Sequence, residues 1–592
     1  MEPIDSGSID AILARLSRIH LASSHLMDQM GLLYVGTHAA RQGYRVRVID
    51  QANTSLEKIR DLAGTSGTKV IGFYVDHENV HTTMSAITAL KTADSSLLCV
   101  VGGPQASVVP WDERLLGESA CDIAVRGEGE VAFTAILDWF LRGKGTLQEI
   151  EGITYRHAGG IARTRDRLPA ADPDMFLVPD RTLNHERQRG NGIDYLVTSR
   201  GCPHRCAFCY EGRPEATYRP RDIAQVLAEV EELLRERRPA YINILDDTFT
   251  VDPERVMAFC CGMKELQSKY YTVKWFCEGR ANVIVKHPEM VRAMVEAGLD
   301  RIQIGVETGN QHVLDAYGKN LTLDEIREAV RICAGADILS IFGNFIIGGA
   351  FESRETIDNS ISFAEELLEI GLGRLEVNST IYTPYPGTPM YENPGAFGLE
   401  MLDPDCVTGP GDNYAFVRTE SLSKWEILHA RQRFIEAVST KMRDLFWTIP
   451  DELLHRHCEA YYRSGLKTTW FQLIEHTFNY SKYFSLPFLG DYRHLKGLPA
   501  DAIEAYKPVR TVFIASSREG NLFLDLGHRK LELNDTASFI YEQCYGKLTT
   551  GEIIDKTREK RFPCASRNLT REVVLDFFGR MDLEKLLVFT GS

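Results

Sequence analysis

The chain has 592 residues, too many for one hydrophobic core, so two to four domains are expected. With 44% hydrophobic and 25% charged residues, its composition is that of a globular protein and excludes a disordered or fibrous one. A net charge of −15 with interspersed signs argues against a nucleic-acid partner, and no run nears the roughly 20 apolar residues that would make a membrane span.

The first twenty residues lack the basic-then-apolar profile of a secretory signal, so a cytoplasmic chain is expected. Over residues 1–155, short β-rich runs (VRVID, 46–50; KVIGFYV, 69–75; LLCVVGG, 97–103; CDIAVRG, 121–127) alternate with helical segments such as MGLLYVGTHAARQG and TTMSAITALKTA. That rhythm predicts a doubly wound α/β domain with a parallel sheet covered on both faces. Residues 156–190, containing RLPAADPDMFLVPDRTL, read as a proline- and aspartate-rich connection.

A second α/β series occupies 191–410: YLVTSRG, YINILDD, VKWFCEGRA, RIQIGVETG and SIFGNFIIG, each leading towards a helix. Five or six such units predict a partial (β/α) barrel with its chemistry at the C-terminal strand ends. From 411 to 592 the pattern turns mainly helical and aromatic. A small α+β unit near the end has strands expected at TVFIA and LFLDL and helices near 534–545 and 570–582.

Thirteen cysteines are present, and three of them crowd into SRGCPHRCAFCYEG: Cys202, Cys206 and Cys209. The others are scattered, as buried reduced thiols would be. Zinc wants four ligands, usually two separated pairs, and no second pair follows closely. A tight trio suits an iron–sulfur cluster better, because three thiolates hold three irons and leave a fourth exposed to bind a small molecule.

The C-x3-C-x-aromatic-C loop at the end of a first barrel strand resembles the radical S-adenosylmethionine (SAM) superfamily. Further segments match in order: ILDDTFT (244–250), CEGRA (277–281) and GVETGN (305–310), the last followed by VLDAYGKN with Lys319. The resemblance implies a [4Fe-4S] cluster on the three cysteines and SAM on its open iron. It further implies cofactor contacts from Asp246, Glu278, Arg280 and Glu307, and candidate catalytic roles for Glu278, Glu307 and Tyr382, the last at the end of EVNSTIY. An external electron donor of the flavodoxin or ferredoxin type is implied as well.

Upstream, glycine turns follow two strands, at VVGGPQAS (100–107) and RGEGE (126–130). Such turns let backbone approach a bulky or anionic ligand, but neither fits the G-x-G-x-x-G of a dinucleotide site. Together with MGLLYVGTHAARQGYRVRVID and IGFYV, they resemble the Rossmann-like cobalamin-binding domain placed before the barrel in one class of radical SAM enzymes. The resemblance implies cobalamin contacts from Tyr74, His77, Glu78, Gly102, Gly103, Pro104, Gln105, Ser107, Gly127 and Glu128. The mutase-type Asp-x-His-x-x-Gly motif is absent; the nearest run, VDHENVH (75–81), lacks its glycine.

This layout is similar to that of tryptophan methyltransferases of thiopeptide pathways. It implies a cobalamin-dependent methyltransferase that moves a methyl group from SAM, through methylcobalamin, to a carbon of an amino acid, peptide or natural-product intermediate. Two rivals stand beside it: a cyclisation or rearrangement on the same scaffold, and a non-catalytic cobalamin- or cluster-binding protein. TPYPGTPMY (383–391) reads either as a border of the substrate cavity or as a plain proline turn. Residues 524–560 resemble small PqqD-like domains that bind peptides by adding a strand, with a simple barrel cap as the other reading.

Overall fold

The computed structural model describes residues 8–16, 29–49, 54–170, 173–176, 178–184, 192–212, 217–402, 414–498, 502–512, 514–518, 520–526, 529–562 and 569–591. Parts of the expected connection 156–190 therefore lie outside the described residues. Strands β1 (Ala11–Ala14), β2 (Val46–Ile49), β3 (Val70–Tyr74), β4 (Leu98–Gly102) and β5 (Ile123–Val125) pair in parallel. An antiparallel hairpin, β6 (Ile153–His157) and β7 (Gly160–Arg163), extends the sheet to the order β2-β1-β3-β4-β5-β6-β7.

Two of these strands depart from the expectation. β1 is only AILA, too short to show a period, yet all four residues are buried and it pairs with β2 on one side and β3 on the other. β7 lies inside the stretch read as a connection, where the glycine pair of HAGG turns the chain back instead of releasing it.

The helices between the strands are α1 (Met30–Arg41), α2 (Leu56–Ser66), α3 (Val80–Ala93), α4 (Trp111–Gly117) and α5 (Gly129–Arg142). Successive strand residues face opposite ways, so Leu13, Val48 and Val100 pack with α1 and α5, while Ile12, Ile49, Ile71 and Val101 pack with α2, α3 and α4. Each such side chain contributes about 1.5–3 kcal/mol when fully buried.

The second series follows as β8 (Ile193–Leu196), β9 (Ser199–Arg200), β10 (Arg219–Pro220), β11 (Tyr241–Ile244), β12 (Lys274–Gly279), β13 (Leu299–Glu307), β14 (Ser340–Ile347) and β15 (Leu375–Ile381). β9 and β10 form a short antiparallel ribbon, and the others make a six-stranded sheet of order β15-β14-β13-β12-β11-β8. Helices α6 (Ile223–Glu232), α7 (Pro253–Lys269), α8 (Ala281–Lys286), α9 (Pro288–Glu296), α10 (Gln311–Ala316), α11 (Leu323–Gly335) and α12 (Arg354–Ile370) fill the crossovers of this partial barrel.

Buried charge ties the connection to the barrel. Glu229 on α6 is fully buried and accepts from Arg181 at 2.6 Å and Arg221 at 2.7 Å, while Arg221 also reaches Asp174 at 3.1 Å.

By backbone proximity the chain divides into two units, residues 1–371 with 377–441 and residues 372–376 with 442–592. The second holds helices Asp451–Ser464, Thr469–His476 and Phe478–Leu489, two three-stranded antiparallel sheets, and helices Asp535–Gln543, Thr550–Glu559 and Arg571–Leu583. The strand expected at TVFIA is displaced. Lys507–Arg510 and Ile514–Arg518 form instead, because Thr511, fully buried between them, turns its hydroxyl to the Lys585 carbonyl at 2.6 Å. Its residues 372–376 are held by His457, whose ring nitrogens bond the Gly373 carbonyl and the Thr468 hydroxyl, both at 2.8 Å; burial pushes this imidazole down to about 4. Among the described residues, no helix is long and apolar enough to cross a membrane.

Replacing Glu229 with alanine leaves two buried guanidiniums without their shared carboxylate. The expected cost is about 3–5 kcal/mol, read as a lower urea midpoint for the first unfolding transition; an unchanged midpoint would refute the role given to this network.

Candidate active site

The three cysteines sit on the loop that leaves β9, and Asp246 shapes its entry. This buried carboxylate accepts from the Thr198 amide at 2.6 Å, the Thr198 hydroxyl at 2.5 Å and the Ser199 hydroxyl at 2.7 Å, so it fixes the turn from β8 into β9. Gly201, with φ +73°, follows; a Cβ there would collide with the Thr217 carbonyl. The loop then turns on a bond from the Cys209 amide to the Cys206 carbonyl at 3.1 Å, and the Met390 amide of the TPYPGTPMY segment donates to the Ala207 carbonyl at 3.1 Å.

Cys202, Cys206 and Cys209 line a cavity of about 570 Å³ together with Asp246, Glu278, Arg280, Glu307 and Tyr382. His77 and Glu78 of the N-terminal domain line it too, and the His77 ring meets Tyr385 edge-on at 5.1 Å. The barrel side chains arrive by strand alternation: Gln303, Gly305 and Glu307 from β13, and Asn344 and Ile346 from β14.

At the end of β13 the ladder with β14 slips between Gly305 and Glu307, and Glu307 adopts φ +66°. A non-glycine residue in the left-handed region is strained, and such strain collects at functional sites. Here the turn brings Glu307 to within 2.7 Å of Lys319, with both side chains buried. Gly305 leaves room for this arrangement, since a Cβ there would meet both charged groups and one of them would have to shift.

Other charges in the cavity are left without ion pairs. Arg280 is 7% exposed, its amide donates to the Thr250 hydroxyl at 3.0 Å, and its guanidinium has no carboxylate partner among the described residues. Burial raises Glu278 to about 7, helped by Asp247. Burial likewise raises Asp247 to about 7, helped by Glu211 and Asp246. Burial also holds the Cys202 and Cys209 thiols up, Cys209 to about 12, so a metal taking them as thiolates would displace protons. Among the described residues no three such donors close on a single ion. Three thiolates from one loop, beside a cavity with an unpaired cation, fit a cluster with one open iron.

A second, apolar pocket of about 290 Å³ lies in the N-terminal domain, lined by Tyr74, Gly102, Gly103, Gly127 and Glu128 beside Leu13, Val35 and Phe133. Gly103 has φ +108°, and a Cβ there would sit 2.8 Å from the Val75 carbonyl; at Gly127 and Gly31 a Cβ would meet no atom within 4 Å. A glycine-rimmed apolar slot of this kind fits part of a large flat cofactor such as cobalamin. The end of β3 and the loop after it span both sites, with Tyr74, the last strand residue, in the pocket and His77 and Glu78 of the loop in the cavity. Asn79 holds it by donating to the Leu16 and Tyr74 carbonyls at 3.1 and 3.0 Å.

The remaining expected residues take other places. Pro104, Gln105 and Ser107 line neither space; the Ser107 hydroxyl donates to the Gly103 carbonyl and accepts from the Gly127 amide, both at 2.9 Å, linking the two glycine turns. The Glu128 carboxylate is occupied by Arg200 at 3.0 Å, Arg219 at 2.8 Å and the Ala170 amide at 3.0 Å, so it fastens the domain to the barrel ribbon. Sequence reasoning did not single out Asp247, Gln303 and Asn344; polar residues at alternate positions of otherwise apolar strands were the available signal for the last two.

Comparison with known proteins agrees with this layout. Residues 21–137 match the B12 binding domain and residues 196–364 the Radical SAM superfamily. An uncharacterized methyltransferase of Pyrococcus horikoshii, PH0819, is 26% identical over 370 residues, 61% of this chain and 77% of that protein. The anaerobic magnesium-protoporphyrin IX monomethyl ester cyclase of Cereibacter sphaeroides is 28% identical over 352 residues, 57% of this chain and 54% of that one. The radical SAM methyltransferase TsrM of Kitasatospora setae, solved with cobalamin and a [4Fe-4S] cluster, shares the fold with a TM-score of 0.57 at 16% identity, over 78% of this chain and 91% of that one.

Two expectations follow. Gly305→Ala pushes a methyl group into the Glu307–Lys319 pair and is expected to weaken SAM binding at least about tenfold, measured by calorimetry, with the circular dichroism unchanged. Because Glu278 and Asp247 lose charge on acidification, the affinity for cationic SAM should fall from pH 8 to pH 6. The double variant Asp247→Asn/Glu278→Gln should flatten that profile, and an equally steep profile in it would count against these carboxylates.

Proposed function

We propose, for a chain that is a radical SAM enzyme with a B12-binding domain, that it transfers a methyl group from SAM to a carbon of an amino acid, peptide or natural-product intermediate. The observation that carries this reading is the segment from Tyr74 to Glu78: Tyr74, the last residue of β3, lines the glycine-rimmed pocket, and His77 and Glu78 of the following loop line the cavity of the three cysteines. Two cofactor sites joined by one short strand-to-loop segment suit an enzyme that uses both in one reaction.

Cys202, Cys206 and Cys209 would hold the cluster, and Tyr74, Gly102, Gly103 and Gly127 would hold cobalamin. When bound, the cluster supplies an electron and a coordination position for SAM, and cobalamin supplies a cobalt that exchanges methyl groups. The chain's own part is placement. Arg280 presents a cation to a carboxylate, and Asp247 and Glu278 present negative charge to an ammonium or sulfonium group. Those unpaired charges complement the zwitterionic end of SAM or of an amino-acid acceptor. Glu307, tied to Lys319, and Tyr382 border the space left for substrate, and His77 with Tyr385 narrows its mouth.

An external electron donor of the flavodoxin or ferredoxin type completes the scheme. A peptide acceptor would engage the three-stranded sheet of Ile514–Arg518, Asn521–Asp525 and Lys530–Leu533, whose outer strands offer edges for strand addition. The similarity to the cyclase keeps a second reading, cyclisation on the same scaffold.

Anaerobic incubation with SAM labelled in its methyl group, cobalamin and reductant separates them. Methyl transfer gives S-adenosylhomocysteine and a labelled product, whereas cyclisation gives deoxyadenosine without S-adenosylhomocysteine. A protein that only binds consumes no SAM. Replacing all three cysteines with alanine is expected to abolish both the visible absorption of the cluster and any turnover; an intact cluster in that variant would refute the ligand assignment.

A further inference from the structure

We propose that Tyr317 is the positioning residue of the cysteine loop, holding it in shape before any iron is bound. The proposal rests on the assignment of Cys202, Cys206 and Cys209 as cluster ligands. Tyr317 is fully buried just after α10, in the VLDAYGKN segment. Its carbonyl accepts from the Ala207 amide at 2.9 Å, and its ring meets Phe208 edge-on with centroids 5.0 Å apart. The next residue, Gly318, runs so close that a Cβ on it would stand 3.2 Å from the Arg205 carbonyl. Three residues between the first and last cysteine therefore lean on one two-residue step.

The far end of the ring is seated as well. A Cβ on Gly349 would collide with the Tyr317 hydroxyl and lie 3.0 Å from its Cζ, so the glycine is what admits the tyrosine. That turn is itself held by Glu352, fully buried, which accepts from the Gly348 and Gly349 amides. Two residues beyond Tyr317, Lys319 makes the ion pair with Glu307. The stretch Tyr317 to Lys319 thus links the cysteine loop, the turn after β14 and the charged pair of the cavity. A loop braced in this way loses less conformational freedom when it takes up iron, which favours uptake and retention.

The test uses the full chain. In the iron-free protein, hydrogen exchange of the Ala207 amide should speed up at least about tenfold in Tyr317→Ala and stay near wild type in Tyr317→Phe; both variants keep the main-chain carbonyl, and only the second keeps the ring that seats it. After reconstitution with iron and sulfide, loss of iron to a ferrous chelator should follow the same order. Gly349→Ala, which crowds the hydroxyl, should mimic Tyr317→Ala, and adding Tyr317→Phe to it should recover most of the loss. Wild-type exchange and iron retention in a folded Tyr317→Ala protein would overturn the proposal. If Tyr317→Ala does not fold, absence of recovery in the Gly349→Ala/Tyr317→Phe pair overturns it. If the ligand assignment itself is wrong, no version retains iron, while exchange at Ala207 still decides whether the brace exists.

Discussion

Charge buried between the two α/β layers of the first unit is the constraint from which its architecture follows. Glu229 is fully buried between Arg181 and Arg221, and Glu128 and Glu130 meet Arg200 and Arg219 nearby. A buried carboxylate without such partners would be strongly destabilising, so these pairs demand one registration of the connection, the N-terminal domain and the barrel ribbon. The ribbon is also where the chain turns towards Cys202. Correct docking and a correctly aimed cysteine loop are therefore the same structural event.

The cavity carries that logic into chemistry. Some buried charges are paired or hydrogen-bonded: Asp246 with Thr198 and Ser199, Glu307 with Lys319, Glu352 with two amides. Arg280, Asp247 and Glu278 have no ion pairs among the described residues, and they face the cavity lined by the cysteines. Unpaired charge in a partly desolvated space is costly until a ligand of opposite sign arrives, and charges of both signs in one space complement a zwitterion.

The N-terminal domain shows how little sequence is needed for a cofactor slot and how much context. Its glycines allow two turns to approach each other, but the Ser107 hydroxyl joins them and Gly103 takes a backbone angle that other residues avoid. Glu128, inside the same glycine segment, lines the pocket, but its carboxylate is taken by Arg200, Arg219 and the Ala170 amide, so it also works as a docking group. One motif thus borders the pocket and fastens the domain to the ribbon.

The grouping of the three cysteines was legible from the sequence alone because all three lie on one loop, where spacing is geometry. The order of the barrel segments was legible because buried parallel strands leave short apolar runs of constant rhythm, and the glycine turns because they follow strands. Tertiary structure decided the rest. The pairing of Glu307 with Lys319 comes with a left-handed backbone at Glu307 and the room left by Gly305; the bracing of Phe208 by Tyr317 needs Gly349, over 30 residues further on. β1, four residues long, becomes a strand through the neighbours on either side. Local spacing can announce a ligand set, but the partners of a buried charge and the room for a ring are set by residues distant in the chain.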